Sequence, residues 1–191
     1  MANVIKSINF GYARDNLLSD TARMAAIEAT KFFKDSFRKG GFTDSSFQQW
    51  ASKQSPLGGK KLMYNTGTLM QSVRKFEESN ERVVVGSDSA YSEIHNEGGT
   101  ITVTAQMKRY FWAQYYKLSG KKTKTKRGKA SNSRANQRTN AKAEFCKRMA
   151  LMKVGSKIKI PKRQFIGESA VLMAELDRQL GIKINEYWEK S

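Results

Sequence analysis

Hydrophobic positions recur at helical spacing in several parts of the chain, and the first such part begins at Ser19. That residue is a typical helix cap, the apolar side chains that follow share one face, and Gly40 and Gly41 provide a stop. Residues 19–38 are therefore predicted to form a helix. Its apolar face consists of Ala22, Ala26, Ala29, Phe33 and Phe37.

The other helical segments lie in the second half of the chain. One covers residues 105–117, another covers 141–152, and the last begins at the cap Ser169 and ends at Gly181. Their apolar faces are Met107, Phe111 and Tyr115; Ala141, Phe145, Met149 and Met152; and Leu172, Leu176 and Leu180. The first of these helices carries further aromatic residues around its circumference, so it is either deeply buried or meets a partner. These extra aromatic residues are Tyr110, Trp112 and Tyr116.

Short strands are predicted elsewhere, two joined by a turn at Ser79 and Asn80 and two that alternate cleanly between apolar and polar residues. They cover residues 71–77, 82–86, 100–104 and 157–160. The first two form a hairpin with Val83 and Val85 on one face and Val73 as the candidate opposite them. In the third strand Ile101 and Val103 point inward, and in the fourth the lysines point outward. The chain is thus predicted to be α+β, with a small, mostly antiparallel sheet packed by N- and C-terminal helices.

Length and composition agree with a single α+β domain over residues 1–191, in which hydrophobic residues make up 39% of the chain. No apolar run is long enough to span a bilayer, so no membrane contact is expected. Cys146 is the only cysteine, which excludes an intrachain disulfide and fits a reducing cytoplasm. It is predicted to be a half-buried helix residue rather than a reactive thiol.

The formal net charge of +18 predicts attraction to nucleic acid, an anionic surface or an acidic protein. Within residues 121–142 there are nine cations and no acid, whereas the rest of the chain is mildly basic. Residues 118–140 are predicted to be a basic, loop-like insertion, either solvated or ordered on an anionic partner such as DNA. The nine cations are Lys121, Lys122, Lys124, Lys126, Arg127, Lys129, Arg134, Arg138 and Lys142.

Residue types that carry catalysis are sparse. His95 is the only histidine, so one chain cannot supply a histidine-rich zinc site or a two-histidine nuclease site. A pair of Cys146 and His95 has no local motif, and His95 is predicted to be a structural hydrogen-bonding residue at a turn. The chain is therefore predicted not to be an enzyme, with no catalytic, cofactor-binding or metal-binding residues. A nuclease built around residues 95–97 is a minor alternative.

Several motifs occur in a recognisable order. The chain contains N-T-G-T-L at 65–69 with Ser72, V-V-V-G-S at 83–87, A-Y-S-E-I-H-N-E-G-G at 90–99, and I-P-K-R-Q-F-I-G at 160–167. Together with the upstream Trp50, they resemble the tailed-phage virion morphogenesis, or tail-completion, family. Ser92 stands where that pattern commonly has alanine, and the basic insertion lies outside it.

Elementary physical chemistry gives these motif residues structural tasks. Gly67 suits a turn with positive φ, Gly98 lets the chain reverse into the third strand, and Pro161 ends the pairing of the fourth. Tyr91 is predicted to point toward the sheet together with Ile94. The corner before the last helix places Phe165 in the core, and it makes Arg163 a candidate for an intersubunit salt bridge or a turn-fixing hydrogen bond.

The resemblance implies a structural virion protein of the phage neck or tail end, which completes the tail or joins head and tail. It implies a homo-oligomeric ring, hexameric in the family, made in the host cytoplasm and flanked by connector or tail-tube proteins, without cofactor or turnover. Candidate interface residues are Tyr110, Trp112, Tyr116 and Arg163, together with the basic segment. The alternative is a nucleic-acid-binding protein outside any virion, which uses residues 121–142.

Overall fold

In the computed structural model of the protein, the alanine and phenylalanine stripe of the N-terminal region forms one long helix, α1 (Phe10–Lys39). Ala22, Ala26, Phe33 and Phe37 are buried along this face, as the spacing predicts. The helix begins well before Ser19, which is exposed inside it, so the predicted cap is wrong. It ends where predicted, because Gly40 adopts φ +74° and donates its N–H to the Ser36 carbonyl at 2.8 Å.

The structure describes residues 10–58, 62–64, 66–120 and 133–189. Contacts within the chain group it into two units. Unit 1 comprises residues 1–50, 66–92 and 163–191, and unit 2 comprises residues 51–65 and 93–162. The predicted single domain over 1–191 stays a prediction, since this grouping does not show whether the two units unfold together.

Unit 1 combines two long helices with two hairpins. After α1 come β1 (Gly41–Thr43), β2 (Phe47–Gln49), α2 (Thr68–Gln71), β3 (Val73–Glu78), β4 (Val83–Ser87) and, at the C-terminus, α6 (Ala170–Glu189). Its core is aromatic: the Phe37 ring lies 4.9 Å from the Phe165 ring and 5.6 Å from the Trp50 ring, centroid to centroid. The Trp50 indole N–H donates to the Gln164 carbonyl at 2.7 Å, which ties the end of the first hairpin to the segment before α6.

Unit 2 is built on a helical hairpin. Its elements are α3 (Ser92–Asn96, of which Ser92 belongs to unit 1), β5 (Gly99–Thr102), α4 (Ala105–Ser119), α5 (Arg134–Leu151) and β6 (Lys157–Ile160). The buried side of α5 consists of Asn136, Ala143, Cys146 and Ala150. Phe111 of α4 meets Phe145 of α5 edge-to-face at 6.3 Å between ring centroids. Val103, after β5, is buried and exchanges backbone hydrogen bonds with Gly155 and Ser156.

The α+β class is confirmed. In the described residues, however, the strands form three separate antiparallel pairs, β1–β2, β3–β4 and β5–β6, instead of joining in one sheet. No strand was predicted where the β1–β2 pair lies, because Gln48 and Gln49 break any alternation there. The other two pairs join predicted strands, and β5 and β6 are distant in sequence.

Two predictions about strand faces are corrected, one by the register of the β3–β4 pair and one by the exposure of Ile101. Val85 lies opposite Lys75, and Val73 lies opposite Ser87, so Val73 is a diagonal neighbour of Val85 and not its direct partner. A bulge between Lys75 and Glu77 shifts the pairing of the residues beyond it. Ile101 is exposed, while Val103 is buried as predicted. The alternation of β6 holds, with Lys157 and Lys159 outward.

Helix ends supply further corrections. Ser169 caps α6 as predicted, since its Oγ accepts the Leu172 N–H at 3.1 Å, but the helix continues through Gly181 to Glu189. An exposed glycine lowers helix stability without breaking the helix. Both ends of the predicted loop 118–140 are helical instead, because α4 extends to Ser119 and α5 begins at Arg134, and residues 121–132 lie outside the described part of the chain. Ala141, predicted to be apolar and inward, is exposed. Among the described helices, none has the length and apolar character required to cross a bilayer.

Candidate interaction surfaces

The outer face of α4 combines aromatic and cationic side chains. Thr104 caps the helix by accepting the Met107 N–H at 3.1 Å on its Oγ1, and this fixes where the helix begins and so which residues face outward. Exposed positions then follow the 3.6-residue period and bring together Arg109, Tyr110, Tyr116 and Lys117. The sequence of α4 contains no acidic residue.

Two of the three predicted interface aromatics on α4 are indeed exposed. Tyr110 is 56% exposed and Tyr116 is 67% exposed, whereas Trp112 is half-buried. The Trp112 and Tyr116 rings stack at 5.8 Å between centroids with an interplanar angle of 24°. The Tyr115 ring also meets the Tyr116 ring, at 5.4 Å between centroids and 62° between planes. Trp112 and Tyr115 thus support the Tyr116 ring, and 67% of Tyr116 stays exposed to a planar partner.

The predicted basic segment is divided by the structure. Arg134 and Arg138 are exposed on α5 and Lys142 is half-buried there, so these three cations belong to a helix and not to a loop. The other six predicted cations lie outside the described residues. They are Lys121, Lys122, Lys124, Lys126, Arg127 and Lys129.

Charge is distributed very unevenly between the two units. Unit 1 contains 14 Lys and Arg and 14 Asp and Glu, whereas unit 2 contains 21 Lys and Arg and 3 Asp and Glu. The whole surplus of +18 therefore resides in unit 2. Counting only its described residues, unit 2 still has 13 cations against 3 acids. The expectation that the chain outside 121–142 is mildly basic is correct as an average, but it hides this division.

Unit 1 has an apolar groove of about 850 Å³ between α1, β4 and α6. Small and aromatic side chains of α1 form one wall, valines of β4 form the second, and α6 forms the third. The apolar members include Ala25, Ala29, Phe33, Val83, Val85, Leu172, Met173 and Leu176. Two polar residues at the groove, Asp44 and Ser169, are occupied at the start of α6: the Asp44 Oδ1 accepts the Ala170 N–H at 3.0 Å, and Ser169 caps the helix.

The motif residues occupy turns and core positions. Gly67 has φ +82° before α2, and Pro161 directly follows the last residue of β6, as predicted. Gly98 has φ +74°, and a Cβ there would lie 2.7 Å from the Lys162 backbone nitrogen, so only glycine fits this close approach. Phe165 is fully buried. These positions explain the local spacing of the motifs by packing alone.

Other motif residues differ from expectation. Tyr91 lies outside α3 and is exposed, so it does not point toward a strand pair with Ile94. His95 is half-buried in the last turn of α3, and its predicted structural hydrogen bond stays a prediction. Arg163 is buried, which lowers the pKa of its guanidinium and removes it from the surface available to another subunit. A turn-fixing role is the surviving interpretation of Arg163.

Titratable groups elsewhere have structural explanations. Burial raises the pKa of the Cys146 thiol, which keeps it protonated and lowers its nucleophilicity. Hydrogen bonds from Asn96 and then Lys162 lower the pKa of the exposed Glu97 carboxyl. Within the part of the chain that the structure describes, no group of three or more His, Cys, Asp or Glu side chains converges on a metal position.

Comparison with known proteins yields no match to a family model, a curated protein or a solved structure. The resemblance in the motifs is therefore a matter of short ordered sequences. Two surfaces stand out physically, the α6 groove and the α4 face. The groove takes Val83, Val85, Ile166 and Gly167 from two of those motifs, whereas the α4 face lies outside all of them. Sequence patterns miss the groove because its walls come from three segments that only the fold brings together.

Proposed function

We propose that the protein is a structural virion component at the neck or tail end of a tailed phage, where it completes the tail or joins head and tail as one subunit of a homo-oligomeric ring. The observation that carries the proposal is the apolar groove of unit 1. An open groove of this size can accept several side chains from a neighbour, and a ring requires such a contact between two different surfaces of the same protein.

Unit 1 also carries apolar side chains suited to enter a groove. Among them, Trp188 and Ile182 are exposed on α6 beyond the groove, and Phe47 is exposed on the first hairpin. The 14 positive and 14 negative side chains of unit 1 balance, so this unit itself adds no net repulsion to a contact between copies. A neutral unit with both an apolar groove and protruding apolar side chains is well suited to head-to-tail association.

The virion setting comes from the motif resemblance. It supports connector or tail-tube proteins as neighbours, a hexameric ring, and a role without cofactor or turnover. The open outer edges of β1–β2 and β3–β4, each two-stranded among the described residues, are further material for contacts between subunits or with neighbouring rings.

Assembly can be tested with a matched pair of exposed apolar residues in unit 1. Met173 lines the groove and is 57% exposed, whereas Ile27 is 58% exposed on α1 and does not line it. We expect Met173→Glu to abolish rings in electron micrographs and to reduce the oligomer mass in light scattering, because it places a charge in the contact. Ile27→Glu should assemble normally, and both variants should keep the thermal stability of the wild type within a small margin.

Results of that experiment decide the proposal. If wild-type protein is monomeric at high concentration and is absent from mature particles of its phage, the structural role is wrong. If rings form but the two variants behave alike, the ring contact lies away from the groove.

A nucleic-acid-binding protein outside any virion is the second candidate, and the concentration of the +18 surplus in unit 2 favours it. That function predicts binding by a monomer that never enters a particle. It also predicts that removal of the cations between Lys121 and Lys129 abolishes binding, whereas under the structural role the same removal impairs joining. Residues 134–142 are kept in both cases, because they belong to α5.

A further inference from the structure

The outer face of α4 has the two chemical groups that a single nucleic-acid strand requires. Arg109 and Lys117 supply cations for phosphates, and Tyr110 and Tyr116 supply exposed rings on which bases can stack. The spacing between the Arg109–Tyr110 pair and the Tyr116–Lys117 pair is two helical turns, so both pairs lie on one side. That separation is about 10 Å along the helix axis, at 1.5 Å per residue.

We propose that unit 2 binds single-stranded nucleic acid across this face, with bases on Tyr110 and Tyr116 and phosphates on Arg109 and Lys117. Charge complementarity specifies an anion, because the described residues of unit 2 carry 13 cations and 3 acids. The inference does not rest on ring formation, since the face belongs to unit 2 and the groove to unit 1.

Exposed tyrosines also occur at protein interfaces, so an acidic protein is the competing partner that the experiment must separate from a nucleic-acid strand. The strand is favoured because this face combines cations with a supported aromatic ring. Trp112 and Tyr115 hold the Tyr116 ring in place, and the 67% of Tyr116 that stays exposed can stack with an unpaired base. Bases inside a duplex are already stacked, so a single strand is favoured over double-stranded DNA.

Binding can be measured by the fluorescence anisotropy of labelled oligothymidylate of about 20 nucleotides, longer than the site of a typical single-strand-binding module. Full-length protein is titrated at low salt. We expect Tyr116→Ala and Tyr110→Ala each to weaken binding by about 5-fold to 100-fold, the range for loss of one stacked base. Tyr116→Phe keeps the ring and should bind as the wild type does.

Controls separate stacking from folding and from general charge. Tyr91 is 68% exposed, matched to Tyr116, but it belongs to unit 1, so Tyr91→Ala should leave binding unchanged. The Met173→Glu groove variant should also bind normally if it is assembly-defective, which keeps failure of this inference distinct from failure of the proposed ring. Circular dichroism of every variant checks that the helices remain.

Competition decides between the partners. Unlabelled oligothymidylate or a single-stranded RNA should displace the probe more effectively than duplex DNA or polyglutamate at equal charge concentration. The proposal is overturned if the wild type does not bind at low salt, if polyglutamate competes equally, or if both tyrosine-to-alanine variants bind as the wild type does. Equal competition by polyglutamate would indicate an acidic protein partner.

Discussion

At the scale of single residues, the turn between α3 and β5 leaves no room for a side chain at Gly98. Gly98 adopts φ +74° and lies so close to the Lys162 backbone that a Cβ has no room. Gly155, in the same unit, has φ +89°, but a Cβ there would meet nothing within 4 Å. Substitution of Gly155 therefore tests the cost of the left-handed backbone alone, and substitution of Gly98 adds the cost of the steric conflict.

We predict that Gly155→Ala lowers the free energy of unfolding by about 1–2 kcal/mol, the cost of a left-handed conformation for a residue with a Cβ. Gly98→Ala should cost about 1–3 kcal/mol more, because the backbone at Lys162 must also move. Urea denaturation followed by circular dichroism measures both variants. Equal losses would show that the close approach at Lys162 is relaxed without cost.

The burial of several single residues can be predicted from the sequence, because it depends on their immediate neighbours. Trp50 and Phe165 are large and apolar beside turn residues, so burial is their favourable state, and both are buried. The same reasoning wrongly predicts that Tyr91 points inward. Tyr91 is exposed because its hydroxyl tolerates water and the short helix α3 begins only after it. Arg163 fails in the opposite sense: charge predicts exposure, yet it is buried, and no pattern in the sequence indicates that.

At the scale of elements, α6 has a cluster of hydrogen-bonded side chains on successive turns. This cluster changes the pKa of one carboxyl group and so makes the stability of the helix depend on pH. The Arg178 guanidinium, and then the Gln179 amide, hydrogen-bond to the Glu175 carboxylate at distances of 2.6–2.9 Å. These bonds lower the pKa of Glu175 from 4.5 to about 2. Because Glu175 is ionised more readily in the folded helix, the cluster favours the folded state only where the carboxylate is charged.

The cluster should therefore contribute stability above pH 4.5 and lose it progressively as the pH falls toward about 2. We predict that Arg178→Gln raises the pKa of Glu175, measured from the pH dependence of its side-chain carbon resonance. Lys183→Gln is the matched control, because Lys183 pairs with Glu186 on the same helix. A Glu175 pKa that did not respond to Arg178→Gln would mean that the hydrogen bonds are absent in solution.

Elements can be predicted from the sequence where one face is strongly apolar. The prediction fails where small or polar residues form the buried face. The stripe of α1 and the lysine-outward alternation of β6 are of the first kind. The buried side of α5 is of the second kind, because Asn136, Ala143 and Cys146 carry little hydrophobic weight, while Phe145 and Met149 draw attention to a neighbouring face. Helix ends fail for a related reason: Ser19 and Gly181 lie on exposed sides, where caps and breakers are tolerated.

At the scale of the whole molecule, the division of charge changes the meaning of the positive surplus. Averaged over the chain, +18 describes a generally basic protein; divided by unit, it describes a neutral part beside a strongly cationic one. Most of this division lies in one continuous segment, since residues 93–162 contain 18 Lys and Arg against 3 Asp and Glu, but only the fold gives the boundaries of the two units. A neutral unit with an apolar groove and a cationic unit with exposed tyrosines suggest separate contributions to assembly and to anion binding.

The two contributions should differ in their response to salt. Contacts through the apolar groove of unit 1 bury surface without neutralising phosphates, so ring assembly should change little as salt rises and should strengthen in sulfate. Binding of oligothymidylate to unit 2 should fall with a slope of about −0.7 in log K against log salt for each phosphate contacted. Anisotropy and light scattering on the same samples measure both quantities.

One variant sharpens this prediction. Arg109→Gln should make the oligothymidylate slope less steep by about 0.7, because one phosphate contact is lost, and it should leave assembly unchanged. Arg23→Gln removes an exposed arginine from unit 1 and should alter neither slope nor affinity. If both variants reduced the slope equally, the anion would be responding to the net charge of the protein, and the α4 face would have no special part in binding it. If salt instead dissolved the rings as steeply as it released the strand, assembly itself would depend on unit 2 and its cations.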